Sequence, residues 1–290
     1  MSRSRTRARI ARPIIATLAL TLFAGCATSE PPPDLADLEP PSAAPAVATL
    51  GILGDSVSLG VNACAEQGQC AAASWSGGTD PAVGSIAERL AVASGVEPNV
   101  VNAAKDGGDV EDALGLVDEV LQAGPQLVTV LLGGNDACAP SLAEMTSTHD
   151  YEARLTKLFG RLSTEAPDAT ILALSVPDLY HLWEIGHANE RTVQTWNGSA
   201  SCKNLLGSAD DESAEAAGRR DAVAAQVVEY NAAIERVCAA VERCIDDDGA
   251  VFTYPFTADE ISSIDYFHPS VAGQRVIAEL AWNALEKGAG

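Results

Sequence analysis

Two short segments carry residue types that could form a nucleophile and its base. In "GILGDSVSLG" the pair Asp55-Ser56 sits between glycines directly after an apolar run, and in "DYFHPS" His268 follows Asp265 by three residues. A nucleophilic serine requires an imidazole to take its proton and a second group to orient that imidazole. Of the four histidines, His149 stands at a predicted helix start, where solvation or capping suffices, and His181 and His187 lie near aromatic residues and could line a pocket. Pro269 keeps His268 out of a helix interior, so Asp265 and His268 can meet on one turn. Each feature also has a plainer reading. Serine after a strand commonly caps a helix, and Asp-x-x-His commonly forms a turn closed by the aspartate side chain.

Acyl transfer also needs donors aimed at the developing oxyanion. Three are candidates: the backbone N–H of Ser56 at an expected helix start, the amide at Gly107 in "NAAKDGGD", and the side-chain amide of Asn135 in "GGND". Glycine loops and asparagine turns are common by themselves. No G-x-S-x-G elbow surrounds Ser56, which removes the main motif of the ordinary α/β-hydrolases.

The elements that must position these residues are legible as an alternation of short apolar runs and amphipathic stretches. "ATLGILGDS", "NVVNAA", "LVTVLLGGND", "ATILALSVPD" and "AVFTYPF" read as strands. The intervening segments, a long stretch from about 214 to 241 and the segment after Pro269 read as helices. This pattern predicts a parallel sheet covered on both faces, whose ligand crevice lies beyond the carboxyl ends of the strands. Residues 178 to about 213 form a long connection without a clear pattern, carrying Tyr180, Trp183, Trp196 and Cys202. Long connections are often functional, so Tyr180, Trp183 and Trp196 are candidates for a substrate pocket. The plainer alternative has the two tryptophans plugging the excursion against the sheet. The acidic run at Asp246 to Gly249 reads as a solvated turn, without the spacing of a calcium loop.

At its N-terminus the chain has the layout of an export signal: basic "MSRSRTRARIARP", apolar "IIATLALTLFAG", then small residues before Cys26. "LFAGC" resembles the lipobox of bacterial lipoproteins, with Phe23 in place of the usual aliphatic residue, which implies acylation of Cys26 or, alternatively, plain secretion. Residues 1–25 are thus expected to be a signal peptide, 26–48 a Pro/Ala-rich acidic tether and 49–290 one hydrolase-sized domain. The net charge of −22 becomes −22 − 5 = −27 once the five arginines of the signal are removed. Such a surface repels phosphate backbones, which excludes nucleic acid as a partner and leaves the N-terminal anchor as the one expected membrane link.

Beyond Cys26 the chain has six cysteines, an even set suited to an oxidising compartment. Fifteen pairings are open to six cysteines, and the sequential set Cys64–Cys70, Cys138–Cys202 and Cys238–Cys244 is the working expectation. Clusters with zinc-ligand spacing are absent from the sequence, so no metal is expected.

In order, "GDS", Gly107 in "NAAKDGG", "GGND" and "DYFH" resemble the conserved blocks of the SGNH hydrolases, the GDSL esterase/lipase family, over about residues 50–282. The resemblance implies a flavodoxin-like α/β/α sandwich with a parallel sheet of about five strands. It further implies Ser56 as nucleophile, His268 as base, Asp265 as orienting acid, and an oxyanion hole of Gly107, Asn135 and the Ser56 amide. "GGNDAC" and "VPDLYHLW" look like secreted actinobacterial members. Two departures matter: Lys105-Asp106 precede the glycine where a small residue and Ser are usual, and Gly108-Asp109 follow it where Ala-Thr is usual. Acidic groups there would oppose an oxyanion. The expected activity is cofactor-free hydrolysis of a small-molecule or lipid ester by a monomer. A carbohydrate or cell-wall O-acetyl esterase and a catalytically inactive lipid-anchored binding protein are the alternatives.

Overall fold

The computed structural model describes residues 47–288; the signal segment, Cys26 and most of the tether lie outside the described residues. Five strands, β1 (Thr49–Gly54), β2 (Asn99–Asn102), β3 (Leu127–Leu131), β4 (Thr170–Ala173) and β5 (Cys244–Asp246), form one sheet in the order β2-β1-β3-β4-β5. Every pairing is parallel. The helices are α1 (Ile86–Ser94), α2 (Val110–Gln122), α3 (Gly134–Ala137), α4 (Thr148–Glu165), α5 (Leu179–Gly186), α6 (Glu190–Gly198), α7 (Lys203–Leu206), α8 (Ala214–Ala239), α9 (Ala250–Thr253) and α10 (Val271–Gly288).

Strand periodicity divides the core in two, because successive side chains leave a strand on opposite faces. Leu53, Val128, Val130, Ile171 and Ala173 join the cluster under α2, α4 and α8, whereas Leu50, Ile52, Leu127, Leu131 and Leu172 join the cluster under α1 and α10. The result is the expected three-layer sandwich. Order reverses between β1 and β3, and the chain leaves both strands at the same edge, where Ser56 and Asn135 follow. That is where open α/β sheets place their ligands.

Three local expectations are corrected. The fifth strand is Cys244–Asp246, and "AVFTYPF" instead begins with the short helix α9. The segment after Asp178 is three helices, α5 to α7, rather than a structureless loop. Asp247 is buried, not solvated: its carboxylate accepts from Ser175 N and Oγ at 2.9 and 2.8 Å and from Val251 N at 2.9 Å. These bonds tie the end of β5 to the end of β4.

The three disulfides pair sequentially, Cys64–Cys70, Cys138–Cys202 and Cys238–Cys244. Cys138–Cys202 closes 64 residues and joins the end of α3 to the start of α7, a constraint on the unfolded chain of about 4 kcal/mol in the loop-entropy treatment. Asn204 reinforces the same junction, donating to Ala137 O at 2.7 Å and accepting from Ala139 N at 3.1 Å.

Candidate active site

Ser56 leaves β1 in a sharp turn. Asp55 Oδ1 accepts from Val57 N at 2.8 Å, and the amides of Ser58, Leu59 and Gly60 bond back three residues, so the chain coils tightly without forming a regular helix. The expected helix start is therefore absent, and Asp55 rather than Ser56 caps the turn. Gly54 makes room for it, since a Cβ there would lie 2.2 Å from Ser58 Oγ. Among the described residues no acceptor takes the Ser56 N–H.

His268 comes from the turn before α10. Its Nε2 lies 2.8 Å from Ser56 Oγ and its Nδ1 2.5 Å from Asp265 Oδ2. Asp265 Oδ1 accepts from the backbone amides of Phe267 and His268 at 2.9 and 3.1 Å. The plain aspartate turn and the serine–imidazole–carboxylate chain are thus both present, the first holding the second. Burial pushes the Asp265 carboxyl upward, but bonds from His268 and Asn62 outweigh it and hold the group below the usual carboxylate range. With the imidazole between a hydroxyl and an ionised carboxylate, the arrangement can draw a proton from Ser56.

Asn135 belongs to α3, whose preceding Gly133 has φ +125 and would carry a Cβ 2.5 Å from Val176 Cγ2. Its Nδ2 donates to Gly108 O at 3.0 Å and, at 3.4 Å, toward Asp55 Oδ2. Gly107 adopts φ +69 in the turn after β2 but stands exposed and outside the cavity lining; the turn reaches the site through Gly108. Asp109 turns away to cap α2, accepting from Glu111 and Asp112 amides at 2.9 Å, and Lys105 pairs with Asp112. The feared carboxylate at position 109 is thereby occupied with a helix end.

Beside Ser56 opens a cavity of about 80 Å³, lined chiefly by apolar side chains including Val57, Leu132, Leu182, Ile185, Phe256 and Phe267. The expected trio Tyr180, Trp183 and Trp196 does not line it. Trp183 is buried, donating to Ala209 O at 2.9 Å while its ring stacks on His187 and lies under the Arg220 guanidinium. Trp196 is buried and donates to Tyr266 O at 3.0 Å, and half-buried Tyr180 packs beside Trp183. An indole N–H in an interior requires an acceptor, and the acceptors lie within the excursion and on the triad turn. His181 does reach the cavity, with Nε2 2.9 Å from Phe256 O and Nδ1 3.0 Å from Glu184.

Two buried polar groups went unrecognised in the sequence. Asp55, fully buried, is raised to about 6, chiefly by loss of water and against the Val57 N–H and the nearby His268. Its signal in the sequence is its place in the "GDS" triplet, directly after a buried strand. Asn62 donates to Asp265 Oδ2 at 2.6 Å across 203 residues of sequence, and no local pattern announces such a bond.

Residues 52–276 match the GDSL-like Lipase/Acylhydrolase family. The chain belongs to this family. It is a hydrolase of ester bonds built on an α/β fold. Solved structures share its fold: a lipase/acylhydrolase from Enterococcus faecalis at 21% identity and TM-score 0.52 covers 83% of this chain and 96% of its own. A phospholipase A1 from Streptomyces albidoflavus NA297 at 19% identity and TM-score 0.51 covers 82% of this chain and 100% of its own. No curated protein matches the chain.

Proposed function

We propose that this GDSL hydrolase is a serine esterase working through an acyl-enzyme on Ser56, with esters of short to medium fatty acids as substrates. The observation that carries the reading is the 2.8 Å contact of Ser56 Oγ with a carboxylate-backed imidazole at the mouth of an apolar cavity. Ser56 Oγ attacks the ester carbonyl as His268 Nε2 takes its proton, and the same proton leaves with the alcohol. Water, deprotonated by His268, then attacks the acyl-enzyme and frees the acid. The Ser56 N–H and the Asn135 amide supply donors for the oxyanion; one Asn135 hydrogen is held only loosely, by Asp55 at 3.4 Å, and can turn to it.

The cavity of about 80 Å³ has room for roughly three waters at about 30 Å³ each, hence for a similar number of methylenes. Each methylene transferred into it contributes about 0.8 kcal/mol, so kcat/KM should rise about fourfold per carbon until the cavity fills. Leu182, Ile185 and Ile261 line both this cavity and a second one, of about 110 Å³, bounded by Gly186, Thr192, Trp196 and Tyr266; they form the partition at which chain length is limited. Hydrolysis of p-nitrophenyl acetate, butyrate, octanoate and palmitate beside Ser56→Ala tests this. An optimum between butyrate and octanoate, lost in the variant, supports the reading. Acetate preference would replace it with an O-acetyl esterase, and full activity in Ser56→Ala would end the mechanism.

The site is further proposed to work outside the cytoplasm, on a domain of residues 49–290 tethered through acylated Cys26. The export-like N-terminus and the three disulfides support this reading. Metabolic incorporation of labelled palmitate that disappears in Cys26→Ser would bear it out, and an unlabelled wild type would leave plain secretion.

A further inference from the structure

Asp265 is gripped from outside its own turn. Oδ2, the oxygen that faces His268 Nδ1, also accepts from Asn62 Nδ2 at 2.6 Å. Asn62 is buried, and both ends of its side-chain amide are used: Oδ1 accepts from Gly68 N at 2.8 Å while Asn62 N donates to Gly68 O at 2.8 Å. This reciprocal pair closes residues 62–68 into a ring, and the Cys64–Cys70 disulfide closes an overlapping one, staggered by two residues, with Cys70 N on Gly60 O at 3.3 Å. The backbone of Asn62 takes part too. Its carbonyl accepts from Ser262 Oγ at 2.6 Å, and Ser262 N donates to His268 O at 2.8 Å, so Asn62 bonds the acid directly and reaches the base's end of the turn through Ser262.

We propose that Asn62 is a positioning residue of the Ser56–His268–Asp265 array, holding the Asp265 carboxylate in line with His268 from a loop locked by the Cys64–Cys70 disulfide. The inference rests on the esterase reading above and names a residue that reading does not require. A carboxylate accepting a short amide bond on the oxygen that orients the imidazole is restrained in the plane the imidazole needs, and its charge is stabilised. Asn62 itself sits at φ +55, in the left-handed region that asparagine tolerates better than most residues. The position thus joins a side chain able to donate with a backbone that the loop demands. Asp265 is faced by His268 from its own turn and by neutral Asn62 from the segment after β1, while Asp55 acts on His268.

The test is Asn62→Gly, which keeps the left-handed backbone and removes the amide, with Asn62→Asp as a near-isosteric second variant that retains an acceptor for Gly68 and loses the donor. The readout is the rate at which a fluorophosphonate labels Ser56 across pH 4 to 9, with kcat and KM on p-nitrophenyl butyrate. Labelling and kcat should fall about tenfold in Asn62→Gly, equivalent to about 1.4 kcal/mol, with KM unchanged. The acid limb should move to higher pH, because a carboxyl no longer held down regains its proton earlier as pH falls. Asn62→Asp should show a larger change in the same direction. Equal labelling rates and acid limbs in wild type and both variants would overturn the proposal. Wild-type protein that the probe leaves unlabelled would overturn the esterase reading itself, and this inference with it.

Discussion

The sheet edge that carries Ser56 and the excursion between β4 and α8 are both made of turns and short helices, yet they use their side chains in opposite senses. At the edge, polar side chains from three segments bond across to one another or to an adjoining residue: Ser56 to His268, Asn62 to Asp265, and Asn135 to Asp55 and Gly108. In the excursion, the large aromatics Trp183 and Trp196 turn inward and bond to backbone carbonyls, leaving Leu182, Ile185 and His181 to face the cavity. One region is arranged for chemistry and the other for filling. An aromatic-rich segment near an active site is therefore not by itself a substrate pocket, because a long excursion must first bury its own core.

The largest effect that separates the two regions belongs to the base. His268→Ala should reduce kcat on p-nitrophenyl butyrate by roughly 10⁴-fold or more, since a serine without its imidazole is no longer activated. Asn135→Ala should cost about 10²–10³ in kcat with little change in KM if its amide serves the oxyanion. An unchanged kcat in that variant would leave Asn135 with the task of joining Gly108 to Asp55. Neither substitution should lower thermal stability by more than a polar deletion ordinarily does.

The same contrast explains what could be read from sequence. Asp265 and His268 are three residues apart, and a single turn brings them together, so the pair is visible in six letters. The strands are visible because buried parallel strands read as unbroken apolar runs. β5 escapes the sequence because it is three residues long, while the apolar Val251 and Phe252 farther on, which read as a strand, belong to a short helix that so short a run does not distinguish from one. The directions of Trp183 and Trp196 depend on α5 packing against α8, on Trp196 lying against Gly186 and on acceptors at Ala209 and Tyr266, contacts that no spacing rule contains. Asn62 is hidden for the same reason.

The excursion supplies the next comparison. Trp183→Phe removes the bond to Ala209 O and should cost about 1 kcal/mol of stability, read as urea midpoint, with chain-length preference unchanged. Ile185→Ala thins the partition between the two cavities and should move the ester optimum to longer chains with little change in kcat on acetate. A chain-length shift in the Trp183 variant, or none in the Ile185 variant, would reverse the roles assigned to the two side chains.

A pH-dependent effect on stability alone concerns buried acids beneath the site. Asp136, next to Asn135 and almost wholly buried, is raised to about 7, chiefly by loss of water. In the native protein it keeps its proton up to about pH 7, whereas the unfolded chain releases it near pH 4. The native state therefore binds more protons across this window, and stability must fall as pH rises from about 4 to 7. Asp136→Asn keeps an acceptor for Val110 N and carries no charge to bury, so it should flatten that decline and raise stability at pH 8 by about 1 kcal/mol or more. Urea midpoints at pH 5 and pH 8 decide it: the advantage of the variant over wild type should be larger at the higher pH. Asp55, raised to about 6, contributes in the same sense over a lower window. Parallel pH dependences of wild type and variant would mean that Asp136 is ionised in the native protein, with the Val110 amide and its surroundings stabilising the charge.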